Sequence, residues 1–265
     1  MQPLNSGARR ARLLGVALLT VAVALGVAWL PAVPQPVRYH DFADPRVCFG
    51  VPHALNVASN LGFLIAGGLG LRGLRRGDSE FVDTRERWPY ALFFLSLVAV
   101  GLGSAHYHLA PSHETLFWDR LPMSVAFMSL LSAVLVERLG PGIGLRLFPW
   151  LVLAGPLSVV WWLISERAGA GDLRAYGLVH LYPLLLIPLL MALFAPRYTR
   201  GGQLLGVLAL YFAALGAERL DREIFAAGGW ISGHTIKHLL AALAAAWLWR
   251  MLRLRKPAPG APAPL

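Results

Sequence analysis

Long apolar runs divide this chain, and short stretches between them hold most of its charges. A helix needs about 20 residues to cross the hydrocarbon core of a bilayer. Eight runs approach or reach that length, at 13–32, 51–71, 89–109, 116–136, 147–165, 174–195, 203–218 and 232–252. The runs are continuous rather than alternating, which favours helices over the strands of a membrane barrel. The pattern predicts an all-α integral membrane protein, with a core of seven transmembrane helices and one additional N-terminal transmembrane helix.

Composition agrees with a membrane location. The chain is 57% hydrophobic and 14% charged, whereas a soluble domain carries roughly 25% charged residues. A net charge of +10 would suggest nucleic acid in a soluble protein, but here the arginines cluster between apolar runs. They are better explained as determinants of topology, and we expect no nucleic-acid partner. The single cysteine, Cys48, excludes an internal disulfide and a metal site built from paired cysteines.

The basic residues concentrate in alternate loops, which predicts an orientation. One set comprises Arg9, Arg10 and Arg12, then Arg72, Arg75, Arg76, Arg85 and Arg87, then Arg138 and Arg146, Arg197 and Arg200, and finally Arg250, Arg253, Arg255 and Lys256. The opposite loops hold fewer arginines, and several acidic residues lie beside them. The positive-inside rule therefore predicts a multi-pass protein, of a bacterial inner membrane, with both termini in the cytoplasm.

Three parts of the chain follow from this pattern. Residues 1–35 form a basic cytoplasmic segment and a transmembrane helix, 36–253 form the seven-helix membrane domain, and 254–265 form a Pro- and Ala-rich tail that we expect to be disordered in the cytoplasm. The first run has the basic start of a signal peptide as well. The residues around Ala32 make a poor cleavage site, which favours a retained helix.

Polar residues in three of the runs point to a metal site. His108 lies near the end of the third run, four residues after Ser104, while His234 and His238 begin the last run and Asp119 begins the fourth. A charged group at the centre of a membrane helix costs roughly 2.5–3.5 kcal/mol and is usually kept for a function. With the predicted topology, all five lie at one depth, toward the periplasmic side. Residues four apart share a helix face, so His234 and His238 can reach one ion, with His108 completing the set.

The ligand set predicts a catalytic zinc ion. Three imidazoles leave one position open for water, whereas a structural zinc site is closed by a fourth protein ligand. Zinc lowers the pKa of bound water to about 7, so hydroxide forms at neutral pH. Asp119 is suited to hold this water and take its proton, and Ser104 to donate a hydrogen bond to a developing oxyanion. This chemistry hydrolyses an amide or an ester.

The same residues carry a resemblance to a known family. The stretch GLGSAHYHLAPSHETLFWDRLPM and the later SGHTIKHLLAALA resemble the alkaline ceramidases, within the superfamily of seven-helix metal hydrolases that also includes the adiponectin and progestin receptors. The resemblance extends from about Asp41 to the end of the last run. It implies a zinc amidase that cleaves ceramide to a sphingoid base and a fatty acid. It also implies His108, His234 and His238 as the zinc ligands and Asp119 and Ser104 as the catalytic groups.

The resemblance fails at one place. Eukaryotic alkaline ceramidases carry a calcium site in an acidic stretch and in the first core helix, where this chain has DFADPR and HALNVASN. Arg46 and His53 stand where oxygen ligands are expected, and a guanidinium group would repel a hard cation. We therefore expect no calcium, and we expect Arg46 to pair with Asp41 or Asp44 instead.

Other interpretations of the same residues stay open. The three histidines could pack the helices, Asp119 could pair with its neighbour Arg120, and Ser104 could bond back to a helix carbonyl. The position of His180 within the sixth run favours a role in helix packing, but its side chain could also reach a cavity at the proposed metal site. Glu218 and Asp221 lie in a charged cluster before the last run, and we expect both to be exposed to solvent in the outer loop.

The function has alternatives as well. A seven-helix lipid receptor or sensor would keep zinc without turnover, and a proton-coupled transporter would use the His and Asp groups as a relay without stoichiometric metal. For an amidase, the substrate partner is a membrane lipid, either ceramide or another long-chain N-acyl lipid.

Overall fold

Ten α-helices and two short 3₁₀ turns, without a β-strand, make up residues 6–259, the part of the chain that the computed structural model describes. In chain order the helices are α1 (Ser6–Trp29), α2 (Ala54–Ser59), α3 (Leu61–Arg76), α4 (Arg87–Leu109), α5 (His113–Leu139), α6 (Pro141–Arg167), α7 (Arg174–Leu193), α8 (Gln203–Arg219), α9 (Asp221–Gly228) and α10 (Gly233–Leu254). The all-α prediction is confirmed for this range.

Six stretches of the described chain are long and apolar enough to cross a membrane, with α2 and α3 counted as one stretch. A seventh results if α8 and α9, which meet at a bend of 73°, are one broken span. The helix α10 is long enough at 22 residues, but it is less apolar because it carries two histidines, a lysine and two arginines. A multi-pass membrane protein is therefore confirmed, while the count of eight spans stays a prediction.

Burial along the helices is reversed relative to a soluble protein. Large apolar side chains such as Leu102, Leu157 and Leu181 are more than half exposed, whereas Ser129 and Ser132 of α5 are fully buried. In water the exposed leucines would be unfavourable, since burial of apolar surface is the main driving force for folding. In a bilayer they face lipid, so this distribution fits a membrane bundle.

The helix α5 occupies the centre of the bundle and packs against α4 and α6, while α10 packs against α8 and α3. By contrast, α1 lies at the periphery and buries a single residue, Val16, among those described. It is held by a hydrogen bond of 2.7 Å between the Thr20 and Tyr182 hydroxyls and by Arg9, which donates to the Leu139 carbonyl. The separation of the N-terminal helix from the seven-helix core stays a prediction.

Two glycines allow close backbone contacts near the candidate site. A side-chain carbon at Gly103 of α4 would lie 2.1 Å from the Trp118 carbonyl oxygen of α5. A side-chain carbon at Gly233 would lie 2.0 Å from the Ala217 carbonyl oxygen of α8. Neither position has room for a methyl group, so these glycines determine how closely α4 and α10 approach their neighbours.

The basic loops meet at one end of the bundle, where they form a buried ionic network. Arg255 is almost fully buried, forms an ion pair with Glu137 of α5, and has its guanidinium carbon 3.9 Å from the centre of the Tyr198 ring. Tyr198 in turn donates to Glu86, just before α4. Some of the arginines that predict topology are therefore also internal partners of carboxylates.

The same network changes the expected limits of the C-terminal tail. The tail was expected to be disordered from residue 254, but Leu254 ends α10, and the Ala258 amide donates to the Arg197 carbonyl at 2.9 Å. The ion pair of Arg255 and these backbone bonds hold the chain to about residue 258. Residues 260–265, like residues 1–5, lie outside the described range.

Candidate metal centre

His108, His234 and His238 converge at the end of the bundle opposite the basic network. Each offers a ring nitrogen, and the three nitrogens lie within 4.8 Å of one another. The ring centres are 4.7 Å apart for His108 and His234, 5.1 Å for His108 and His238, and 4.7 Å for His234 and His238. All three side chains are buried, with 5% exposure or less. The spacing of four in α10 therefore places two imidazoles on one face, opposite the third from α4.

Local hydrogen bonds fix the start of α10, which carries two of the three histidines. Ser232 caps the helix by accepting from the Thr235 amide at 3.1 Å. The Thr235 hydroxyl donates to the side-chain oxygen of Asn56 in α2 at 2.6 Å. Asp221, the first residue of α9, accepts from the His234 amide at 2.7 Å. The first turn of α10 is thus anchored to two other helices.

One pair of ring nitrogens has the separation expected for two ligands of a tetrahedral metal ion. The two Nε2 atoms of His108 and His234 are 3.2 Å apart, and two nitrogens bound to one tetrahedral zinc ion at 2.0–2.1 Å would be separated by about 3.3 Å. The Nδ1 atom of His108 is buried and has no hydrogen-bond partner among the described residues. The donor set and its spacing therefore fit a divalent ion that prefers nitrogen ligands, although they do not decide which one.

Ser59 of α2 holds the third histidine. Its hydroxyl oxygen lies 2.8 Å from Nδ1 of His238, and the hydroxyl donates its only hydrogen to the Asn56 carbonyl at 2.9 Å. The oxygen of Ser59 must then accept from Nδ1–H of His238. This leaves the Nε2 lone pair free for a metal, an arrangement that orients metal-binding histidines in many proteins.

Ser104 and Asp119 lie together beside the histidines. Both line the same cavity as His238, both are buried, and the Ser104 hydroxyl interacts with the Asp119 carboxylate. Within residues 6–259 Asp119 has no ion pair within 4 Å, and its neighbour Arg120 turns toward aromatic rings instead. Nor does Ser104 bond to a helix carbonyl in this range. The carboxylate and the hydroxyl are therefore bonded to each other at the polar end of the cavity.

A long cavity of about 330 Å³ extends from this polar end into the bundle. Its lining on α4 runs from Ser104 back to Phe93, a distance of about 16 Å along the helix axis. The far part is lined by apolar residues such as Leu130, Ile187 and Ala245. A mostly apolar cavity with polar groups at one end suits a long alkyl chain that carries a polar group.

A second, more open pocket of about 520 Å³ lies on the other side of the histidines. It is lined by Phe42 and His234, among others, and it shares Tyr39, Leu215 and Glu218 with the long cavity. The Tyr39 hydroxyl donates to Glu218 at 3.2 Å. The histidine cluster therefore lies between an outer pocket and an inner apolar cavity, and this tyrosine and glutamate stand at the junction.

The structure corrects the expectation that Glu218 and Asp221 form a solvated cap. Glu218 is only a quarter exposed, accepts from Lys237 at 2.7 Å and lies 3.8 Å from Nδ1 of His234. Asp221 accepts from the His234 amide, as described above, and from the Ala43 amide at 3.0 Å. The bend between α8 and α9 turns both acids toward the start of α10. The sequence signal that could have revealed the pair with Glu218 was Lys237, an ammonium group placed between two histidines in an apolar run.

The other histidines lie outside the cluster. His106 is exposed. His40 bridges Nδ1 of His113 at 2.8 Å and the Tyr107 hydroxyl at 2.9 Å, so it links the loop before α2 to α4 and α5. His180 lines the cavity, where it bonds to the Tyr211 hydroxyl at 2.5 Å. His180 therefore packs against neighbouring aromatic side chains and also lines the cavity.

Arg46 lies in the DFADPR stretch of the loop before α2. Its guanidinium makes two bonds of 2.7 Å to the Asp44 carboxylate, while Asp41 pairs with Arg222 instead. The predicted pairing of Arg46 is confirmed, with Asp44 as the partner. The hydrogen bonds from Arg46 hold the pKa of the Asp44 carboxyl below its usual value.

Comparison with known proteins adds no identification, because no family model and no curated protein matches the chain. The resemblance to alkaline ceramidases therefore depends on the residues quoted above.

Proposed function

We propose that this protein is a zinc-dependent amidase of the membrane, which hydrolyses the amide bond of a long-chain N-acyl lipid. The observation that carries the proposal is the arrangement of one site: three buried histidines converge within 4.8 Å, and Ser104, Asp119 and His238 line the polar end of a long apolar cavity. A cluster of three metal-binding histidines alone is compatible with many functions. The same cluster beside a carboxylate and a hydroxyl, at the polar end of a mostly apolar cavity, suits hydrolysis of a lipid.

Each side chain has a distinct part in this reaction. His108, His234 and His238 hold the ion, which supplies hydroxide near neutral pH. Asp119 positions the attacking water and accepts its proton. Once Asp119 has taken the proton, Ser104 shifts its hydrogen bond from Asp119 to the carbonyl oxygen of the amide, as that oxygen gains negative charge. Asp119 then returns the proton to the leaving nitrogen, so that a free amine and a carboxylic acid are released.

The two pockets suggest how the lipid is oriented. The acyl chain occupies the inner apolar cavity, the amide lies beside the histidines, and the amine portion points to the outer pocket. Ceramide satisfies this description, and so do other N-acyl lipids. We further propose that α10 spans the membrane with the other helices. Both termini and the basic network then lie in the cytoplasm and the site lies toward the periplasm, as the charge pattern predicts.

The two alternative functions make different use of the same site. A lipid receptor or sensor is favoured by the mostly apolar cavity, in which a lipid could bind without being cleaved. A proton-coupled transporter would use His180, Asp119 and Glu218 as a relay. The amidase is preferred because the nitrogen spacing fits an ion and because Asp119 has no ion pair within the described residues.

Metal analysis and product release test the proposal. Purified protein is expected to contain about one zinc ion per chain and to release fatty acid from N-palmitoyl lipids. His234→Ala should lose the metal, and Asp119→Ala should keep the metal but lose activity by at least about 100-fold, the typical contribution of general acid–base catalysis. His106→Ala, an exposed histidine on the same helix as His108, is the matched control and should behave as wild type.

The outcomes separate the candidates. Zinc without turnover on any N-acyl lipid would favour the receptor, and activity without stoichiometric metal would contradict the site. If His234→Ala and Asp119→Ala hydrolysed as fast as wild type, the assigned roles would be wrong.

A further inference from the structure

Arg120 is a buried cation at the edge of the catalytic cavity, and the proposed reaction does not use it. The residue is 6% exposed and lines the long cavity next to Asp119. Its guanidinium carbon lies 4.4 Å from the centre of the Trp162 ring, 4.8 Å from that of Tyr176 and 5.5 Å from that of Tyr39. Three aromatic faces therefore hold the guanidinium in place.

The guanidinium makes no ion pair with the described residues, although it attracts the Asp119 carboxylate over a longer distance. Its Nη2 atom donates to the side-chain oxygen of Gln35 at 2.5 Å, which is an uncharged acceptor. Its Nη1 atom has no hydrogen-bond partner among the described residues, and within that range no carboxylate lies within 4 Å. Lys237, another cation that lines the cavity, is by contrast paired with Glu218. A buried charge without a partner is costly, so an external anion is the missing partner.

The position of Arg120 indicates which part of a substrate it would meet. Gln35 and Tyr39 belong to the outer loop before α2, Trp162 lies near the end of α6, and Tyr176 lies near the start of α7. These segments surround the outer end of the cavity, and Tyr39 also lines the outer pocket. The apolar lining extends in the opposite direction. Arg120 is therefore on the amine side of the scissile bond rather than beside the acyl chain.

We infer that Arg120 selects lipids with an anionic oxygen group, a carboxylate or a phosphate, on the amine side of the amide. A guanidinium matches both groups because it presents parallel N–H donors to two oxygens. This inference rests on the proposed amidase function for the orientation of the substrate. It narrows the substrate class from N-acyl lipids in general to acidic ones, such as N-acyl amino acids or N-acyl phosphoethanolamines.

Equilibrium binding to metal-stripped protein tests the inference without depending on catalysis. The protein in detergent is treated with a chelator, and the affinities for N-palmitoyl glycine, N-palmitoyl phosphoethanolamine and neutral N-palmitoyl ethanolamine are measured. At least one acidic ligand should bind about tenfold or more tightly than the neutral one, as expected for a charge-assisted hydrogen bond. The tighter of the two acidic ligands identifies the anion as carboxylate or phosphate.

Variants assign the preference to Arg120. Arg120→Gln should abolish the preference for the acidic lipid and leave the affinity for the neutral lipid within a few-fold. Arg120→Lys keeps the charge but loses the paired donors, and should retain part of the preference. Arg167→Gln removes an exposed arginine at the same end of the bundle and should change nothing. If Arg120→Gln does not fold, the affinities of wild type and Arg120→Lys for the acidic and neutral lipids still test whether Arg120 causes the preference.

Failure of the two proposals would look different. Equal affinity of wild-type protein for all three lipids, or a preference that survives Arg120→Gln, would overturn the assignment of Arg120. An acidic preference that depends on Arg120, in a protein that releases no fatty acid when loaded with zinc, would support Arg120 and overturn the amidase.

Discussion

Replacing Ser59 with alanine should weaken metal binding without removing any ligand. Ser59 accepts a hydrogen bond of 2.8 Å from Nδ1 of His238, and its own hydrogen goes to the Asn56 carbonyl. The bond keeps the proton on Nδ1 and the Nε2 lone pair directed at the ion. In Ser59→Ala the imidazole can rotate and can carry its proton on either nitrogen, so part of the population no longer offers a ligand.

The expected size follows from this geometry. Loss of a hydrogen bond that orients a metal ligand typically weakens metal affinity by about 10- to 100-fold, which corresponds to about 1.4–2.7 kcal/mol. The free energy of unfolding of the metal-free protein should fall less, by about 1 kcal/mol, because a single buried hydrogen bond is lost. The effect on metal affinity should thus exceed the effect on stability.

Competition with a chromophoric chelator measures the zinc dissociation constant, and thermal unfolding of the metal-free protein measures stability. The matched control is Ser96→Ala. Ser96 is also a buried helical serine, but it bonds to the Leu92 carbonyl of its own helix, away from the histidines. The reasoning is refuted if Ser59→Ala binds zinc as tightly as Ser96→Ala does.

Three further predictions concern ion pairs and close packing in the bundle. Arg46→Met should lower the midpoint of thermal unfolding at pH 7. Because Arg46 depresses the pKa of Asp44, the ion pair stabilises the protein above the unfolded-state pKa of about 3.9, and this stabilisation is lost as the pH falls through the lower folded-state pKa. The difference in midpoint between Arg46→Met and wild type should therefore disappear in acid, and calcium should not raise the midpoint. Gly103→Ala should destabilise by about 1–3 kcal/mol through its clash with the facing helix, whereas Gly68→Ala, which meets nothing within 4 Å, should be neutral or slightly stabilising in the same melts. Arg255→Met should lower the free energy of unfolding by about 3–5 kcal/mol, because it leaves the buried Glu137 carboxylate without its ion-pair partner. An unchanged melting midpoint would contradict a structural role for the ionic network.

The sequence predicts the parts of the site that depend on local periodicity. The spacing of His234 and His238 places both imidazoles on one face of a helix, and the structure shows their ring centres 4.7 Å apart. The alternation of apolar runs and basic loops likewise predicts which helix ends lie together. Neither signal contains the bend of 73° after α8, so the contact of Glu218 with Lys237 and with the outer loop could not be predicted. The hydrogen bond that Ser59 accepts from His238, 179 residues away, depends on packing between helices in the same way.

The arrangement of the ligands links metal binding to the packing of the bundle. Since α10 carries two histidines and α4 carries one, a rigid shift of α10 keeps the distance between His234 and His238 but changes both of their distances to His108. An ion bound by all three nitrogens resists that shift and therefore acts as a bridge between α4 and α10. These helices also make close contacts at Gly103, five residues before His108, and at Gly233, directly before His234. An ion present at 1,000 times its dissociation constant adds about 4 kcal/mol to the stability of the folded state. This gain can offset the cost of burying three imidazoles and a carboxylate in an apolar bundle.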